Sequence, residues 1–329
     1  MKDKKEQGVI EQVQWVQGKF TRPDGIALNY RYWDNVYEGL VNYRHPFLLL
    51  HGLASGLRIW DKVAVELVKR TAVQVLTLDQ RGHGLSDKPD SGYTTSQIVE
   101  DDHLFADYAR DAEILTTTEP PVVVGHSWGA TIALAYAATY PDEVAGLVLV
   151  DGGMGSMRNR PGYDDWEKVS RELAPPDFAG TPKEKFLGFY RNGPQGRFLA
   201  GSWDEQLEDM VLNIVELRED GTVGPRLSRA NHMQILRSMW EDDNLAYAAQ
   251  VRCPVLMISA ETTSSPDVMP DDARQAEWLK MKREGAAQLK SALVHSPKAE
   301  FVIMSETVHD IPLQRPAELA KLIVKFFAA

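Results

Sequence analysis

Short apolar runs alternate along the chain with longer segments of mixed character. Phe47-Leu48-Leu49-Leu50 stops at His51-Gly52, Val73 to Leu78 stops at Asp79, and Val122-Val123-Val124 stops at Gly125. Leu147 to Val150 stops at Asp151, and Val255 to Ile258 and Phe301 to Met304 complete the set. Apolar runs of this length predict strands covered on both faces, as in a parallel sheet. Segments 58–70, 96–116, 128–139 and 316–327 have helical spacing and lie among those runs. Strand–helix alternation predicts the α/β class: a mostly parallel central sheet flanked by helices. Ahead of the first run, residues 9–20 and 26–33 alternate polar with apolar and predict two strands around the turn Pro23-Asp24-Gly25.

The alternation stops between 153 and 247. That stretch lacks clean strand runs and is rich in Trp, Met, Pro and Arg. It is expected to be a mainly helical cap inserted into a core domain made of 1–152 and 248–329. Trp166, Trp203, Trp240, Phe186, Phe189 and Phe198, with Met154, Met157, Met210, Met233 and Met239, fall in or at the edge of it. Most of these are expected to pack the cap's own core, and the rest to give an adaptable apolar pocket. A second departure, from Asp267 to about Leu293, has the composition of one long helix, with Pro266 and Pro270 near its start.

In a parallel α/β sheet the chemistry sits at the carboxyl ends of the strands. Here those ends read His51-Gly52, Asp79, Gly125-His126-Ser127, Asp151-Gly152-Gly153, Glu261 and His309. Gly125-His126-Ser127-Trp128-Gly129 is a G-x-S-x-G between an apolar strand and a helical run, the context of a strained turn that lifts a serine clear of the sheet. Ser127 is therefore expected to be a nucleophile; a serine that merely capped the helix would not need both glycines. Stabilising the oxyanion would require two backbone donors, expected at Trp128 and, in the loop after Leu50, at Leu53. His51 is read as shaping that loop. Asp79 to Asp87, with Arg81 and two glycines, is read as a constrained loop tied down by its own hydrogen bonds.

With the tail Val308-His309-Asp310-Ile311-Pro312, these segments resemble the α/β-hydrolase superfamily over nearly the whole chain. The resemblance implies that His309, between the last strand and the last helix, is the base. It leaves the acid open. Counted as in the family, the usual place is just after the seventh strand, where this chain reads Ser259-Ala260-Glu261-Thr262-Thr263. The less common place, after the sixth strand, is Asp151, which is preferred here; Glu261 and Asp267 are the alternatives. His126 and His232 are candidates for the substrate pocket. The implied activity is hydrolysis of a small-molecule carboxylic ester or lactone through an acyl-enzyme. Rivals on the same scaffold are an aminopeptidase or amidase and a carbon–carbon bond hydrolase, and a rival of another class is a slow-turnover ligand receptor. Ser127 excludes the relatives whose nucleophile is an aspartate.

Composition narrows the partners. The 329 residues carry a formal net charge of −11, against the concentrated basic patch that nucleic acid or an anionic membrane surface requires. The single cysteine, Cys253, can form no internal disulfide and reads as a core residue. The charged start and the lack of any run approaching roughly 18 apolar residues predict a cytoplasmic protein without a membrane span. The eight histidines show no spacing with acids that suggests a metal, and no glycine-rich phosphate loop is present, so no cofactor is expected.

Overall fold

The apolar runs are strands, and period-two alternation assigns their two faces. The structure, a computed structural model, describes residues 6–10, 13–35, 43–160, 162–192, 203–262 and 272–328. The chain opens with β1 (Glu6–Ile10), β2 (Val13–Thr21) and β3 (Ala27–Asn35), an antiparallel meander along one edge. The single strand expected over 9–20 is thus shared by two, and Ile10 pairs with Val13.

The parallel part begins with β4 (Phe47–Leu50), α1 (Asp61–Thr71) and β5 (Val75–Leu78). It continues through α2 (Thr95–Asp111), β6 (Val122–His126), α3 (Trp128–Thr139) and β7 (Gly146–Val150). Every residue of β4, β5, β6 and β7 is buried, as strands covered on both sides must be. Leu48, Leu50, Val123, Leu147 and Leu149 join the core under α2 and α3, whereas Phe47, Leu49, Val122, Val124 and Val148 join the core under α1. Helix α3 is apolar nearly all round and runs buried from Trp128 to Ala137.

Between β7 and the next sheet strand lie α4 (Trp166–Glu172), β8 (Thr181–Pro182), α5 (Lys183–Asn192), α6 (Glu205–Leu212), β9 (Val215–Leu217) and β10 (Thr222–Pro225). Helices α7 (Arg229–Glu241) and α8 (Asn244–Ala248) follow. The three short strands form a small antiparallel sheet in the order β8-β10-β9, which the sequence reading did not anticipate. Strands of 2 to 4 residues containing Pro182, Gly224 and Pro225 leave too few positions for an alternation to show. Phe186, Leu187, Val211, Val215 and Val223 form a local core there, with Trp203 packed against it.

The sheet closes with β11 (Val255–Ala260), α9 (Asp272–Ala292), β12 (Ala299–Met304), α10 (Ile311–Gln314) and α11 (Pro316–Phe327). The full order is β1-β2-β3-β5-β4-β6-β7-β11-β12. The chain passes from β4 outward to β5 and returns to the other side of β4 as β6, so the strand order reverses beside β4. A ligand crevice is expected at that point, beyond the carboxyl ends. Pro266, Asp267, Pro270 and Thr263 lie outside the described residues, as does Phe198. No helix among the described residues is long and apolar enough to cross a membrane.

Candidate active site

Register brings the site together. His126 pairs with Val150 and Val150 with Ile258, so Ser127, Asp151 and Ser259 emerge side by side from β6, β7 and β11. The ladder runs one step further: the Ser127 amide donates to the Val150 carbonyl at 2.9 Å and the Asp151 amide to Ile258 at 2.7 Å.

At the end of β6 the chain turns directly into α3, with Ser127 at φ 56° and ψ −119°. That left-handed backbone is costly for a residue with a Cβ and persists only where the surroundings enforce it. Contact is so close that a Cβ on Gly125 would stand 2.0 Å from the Gly129 carbonyl oxygen, and one on Gly129 2.3 Å from that of Leu50. The Ser127 hydroxyl makes no helix-capping bond. It lies 2.9 Å from His309 Nε2, and His309 Nδ1 lies 2.7 Å from Asp151 Oδ2.

Asp151 itself takes the left-handed turn, at φ 47°. Its glycine neighbour serves close approach: a Cβ on Gly152 would be 2.1 Å from the Ser127 carbonyl oxygen. The carboxylate is 3% exposed. Its Oδ1 accepts from Ser259 Oγ at 3.0 Å, from the Ala260 amide at 2.9 Å and from Lys282 Nζ at 2.7 Å. Burial opposes its charge, but the bonds and charges of His309 and Lys282 prevail and hold the carboxyl well below the usual range. For His309, burial lowers the pKa, yet the bond to Asp151 and its charge outweigh that and raise it above the ordinary imidazole value. Glu261 is turned elsewhere: its Oε2 accepts the Glu306 amide at 2.8 Å.

Three other histidines support the frame. His126, pushed down to about 4 by burial and by the neighbouring His309, donates from Nε2 to the His309 carbonyl at 2.8 Å. His51 Nδ1 donates to the Gly52 carbonyl at 2.8 Å while its Nε2 accepts the Gln80 amide at 3.0 Å. His83 accepts the Ala54 amide at 3.2 Å. Both rings are buried and held below the ordinary value by that burial, in keeping with neutral imidazoles that each accept one N–H. The Asp79 loop is tied as its composition suggests. Asp79 accepts from Leu57 N at 2.8 Å, Leu85 N at 2.9 Å and Asn29 Nδ2 at 2.7 Å, and Arg81 forms two 2.6 Å bonds to buried Asp101. The amides of Leu53 and Trp128 have no partner among the described residues.

Two cavities meet at Ser127 and His309. The larger, about 380 Å³, is walled by Trp128, Met154, Met157, Met239, Trp278 and Met281, with Arg160 and Lys282 as its cations. The smaller, about 250 Å³, is lined by Leu53, Ile59, His126, Tyr190, Met210 and Ile214, with Asp310 at one side. Methionine lines both, whereas Trp166 and Trp240 stack with Arg237 away from either cavity. His232 lines neither: it borders an adjoining cavity of about 90 Å³ with His83 and Leu227.

Lys282 and Arg160 were missed by the sequence reading. Lys282 carried a signal: Trp278, Lys282, Ala286, Leu289 and Leu293 lie along one helical stripe, and a lysine there is out of place on an apolar face. Another expectation needs correcting. His103 and Asp107, four apart on α2, do meet Glu143, with ligand atoms within 4.8 Å of one another. Arg110 bonds Asp107 and lies 3.8 Å from Glu143, so the acids already have a cation, and the group lines neither cavity at Ser127.

A family model described as the alpha/beta hydrolase fold matches residues 45–264. The chain is 33% identical over 281 residues to lipase LipV of Mycobacterium tuberculosis, covering 84% of this chain and 90% of that protein. It is 37% identical over 105 residues to 2-(acetamidomethylene)succinate hydrolase of Mesorhizobium japonicum. That match covers 32% of this chain and spans about a third, 34%, of the relative's length. Among solved structures, the enol-lactonase from Burkholderia xenovorans superposes with a TM-score of 0.63 at 17% identity, over 95% of this chain and 100% of that one. At that identity the likeness is one of fold.

Proposed function

We propose a function on one premise: the chain belongs to the alpha/beta hydrolase fold family. Hydrolysis is the activity named for the two relatives above, one called a lipase and the other a hydrolase of 2-(acetamidomethylene)succinate. The finer reading is cleavage of a carboxylic ester or lactone through an acyl-enzyme, with Ser127 as nucleophile, His309 as base and Asp151 as the acid that orients it. The observation that carries it is the continuous relay from Ser127 Oγ through His309 to Asp151, at 2.9 and 2.7 Å, on a serine held at φ 56°. A relative that aligns over most of both chains is named a lipase, which favours esters over amides.

His309 Nε2 accepts the Ser127 proton as Oγ attacks the carbonyl carbon. The amides of Leu53 and Trp128 are the donors proposed for the oxyanion. When the tetrahedral species collapses, the bond to the leaving oxygen breaks and His309 returns the proton to it. Water then repeats the sequence on the acyl-serine, releasing the acid and restoring the Ser127 hydroxyl. Asp151 fixes the Nδ1–H tautomer and stays ionised throughout. Residues 153–247 are proposed to act as a cap, since Met154, Met157, Met210 and Met239 from in and around that stretch wall the two cavities.

Steady-state hydrolysis of p-nitrophenyl esters by the wild-type protein and by Ser127→Ala is the test. A loss of roughly 10⁶-fold in kcat, with an unchanged circular dichroism spectrum, is expected. A variant that keeps more than about a tenth of the activity rules the reading out. Slow or absent turnover by the wild type would point instead to a receptor.

A further inference from the structure

The two cavities at Ser127 differ in charge. The smaller has Asp310 at its side, and Ser55, His126 and Tyr190 stand among its apolar walls around the shared Ser127–His309 pair. The larger has two cations, Lys282 and Arg160, and one acid, Asp151. Lys282 is already engaged, at 2.7 Å from Asp151 and 2.9 Å from the Ala260 carbonyl. Arg160 is not: its guanidinium has no hydrogen-bond or ion-pair partner among the described residues. It is half-buried, and burial pushes its pKa down from the ordinary guanidinium value, although the nearby Tyr163 and Asp151 favour its charge.

A half-buried cation with no hydrogen-bonded partner gains from an anion that completes its shell. Met154, Met157, Met239 and Met281 share its cavity, and apolar walls strengthen any charge pair formed between them. The planar fork of a guanidinium fits a carboxylate through two parallel hydrogen bonds. We propose that Arg160 anchors a carboxylate on the substrate, so that Ser127 cleaves an ester bearing an anionic group in the larger cavity and an uncharged part in the smaller. The inference rests on the ester-hydrolase reading above and assigns the substrate class of that site. Asp310 disfavours the reverse placement.

Two pairs of esters test it, one for each side of the scissile bond. The p-nitrophenyl monoester of glutaric acid is compared with p-nitrophenyl valerate, and para-acetoxybenzoate with its methyl ester. In one pair the anionic ester should have the higher kcat/KM, and Arg160→Gln should lower that ratio roughly ten- to a hundredfold, the worth of a charge-assisted pair. Arg158→Gln, the same charge change on an exposed side chain lying over Trp240, should leave the ratio unchanged. Calorimetric titration of glutarate into Ser127→Ala gives a second readout that needs no turnover. Binding should be detectable at millimolar concentration and lost when Arg160→Gln is added. No anionic preference in either pair, a preference insensitive to Arg160→Gln, or glutarate binding indifferent to it overturns the inference. If no ester is hydrolysed the ester reading fails, and the glutarate titration alone then decides whether Arg160 holds an anion.

Discussion

The ends of β7 and β11 are neighbours, each followed at once by a carboxylate, and the two carboxylates do different things. Asp151 turns through a left-handed backbone and reaches His309; Glu261 reaches back to the Glu306 amide after β12. The end of β11 still contributes, because Ser259 Oγ and the Ala260 amide both donate to Asp151. A strand end therefore makes a residue available without assigning its role. What distinguishes the two acids is the number of donors converging on each and the direction its backbone takes. Lys282, delivered by α9 from between β11 and β12, adds a buried cation to Asp151 alone.

The largest way to break this comparison is to neutralise each acid in turn. Asp151→Asn is expected to lower kcat by up to ~10⁴-fold, because the amide favours the wrong imidazole tautomer. Glu261→Gln should cost under about tenfold, measured with the same ester; the reverse ranking would move the acid to β11.

Lys282 sharpens the contrast at smaller scale. It is a positioning residue, so Lys282→Met should lower kcat roughly ten- to a hundredfold by loosening Asp151, with partial recovery in Lys282→Arg. A change in the pH profile separates this from simple damage. His309 must be neutral to accept a proton, so kcat/KM should rise with pH through one ionisation. Asp151 places that ionisation above the ordinary imidazole value of about 6.5. Lys282 pulls it down, so Lys282→Met should move the rise to still higher pH. A profile unmoved in the variant removes Lys282 from the site's electrostatics.

Gly152→Ala gives the smallest effect and probes packing. Its Cβ would meet the Ser127 carbonyl oxygen at 2.1 Å, and the overpacking should cost about 1–3 kcal/mol of stability by urea denaturation. An unchanged midpoint would mean that the turn after β7 yields without strain.

How much of this was legible in the sequence follows from which forces write a local pattern. Strands buried on both faces leave continuous apolar runs, so the ends of β4 to β7 and β11 could be located, and the run Phe301 to Met304 marked β12 although that edge strand is mostly half-buried; with these ends came Ser127, Asp151 and His309. The turn at Ser127 was legible because close contact leaves room only for Gly125 and Gly129. Asp151 was preferred to Glu261 in the sequence, yet its left-handed backbone, at φ 47°, is one that no residue type announces. Arg160 left no signal, and the one at Lys282 was easily overlooked, for a different reason. A cation in a polar loop or on a long charged helix normally faces water, and only the tertiary approach of α9 to β7 and of the loop after β7 to Ser127 brings them into one cavity. The strands β8, β9 and β10 are too short to carry a period.

The most direct measurement is intact-protein mass spectrometry after rapid acid quench of the protein mixed with excess p-nitrophenyl ester, followed by peptide mapping. A mass increase equal to the acyl group, located on Ser127, is predicted, and it should persist longer in Asp151→Asn, where deacylation is slowed. Turnover that proceeds with the adduct on another residue, or that is undiminished in Ser127→Ala, contradicts a serine acyl-enzyme.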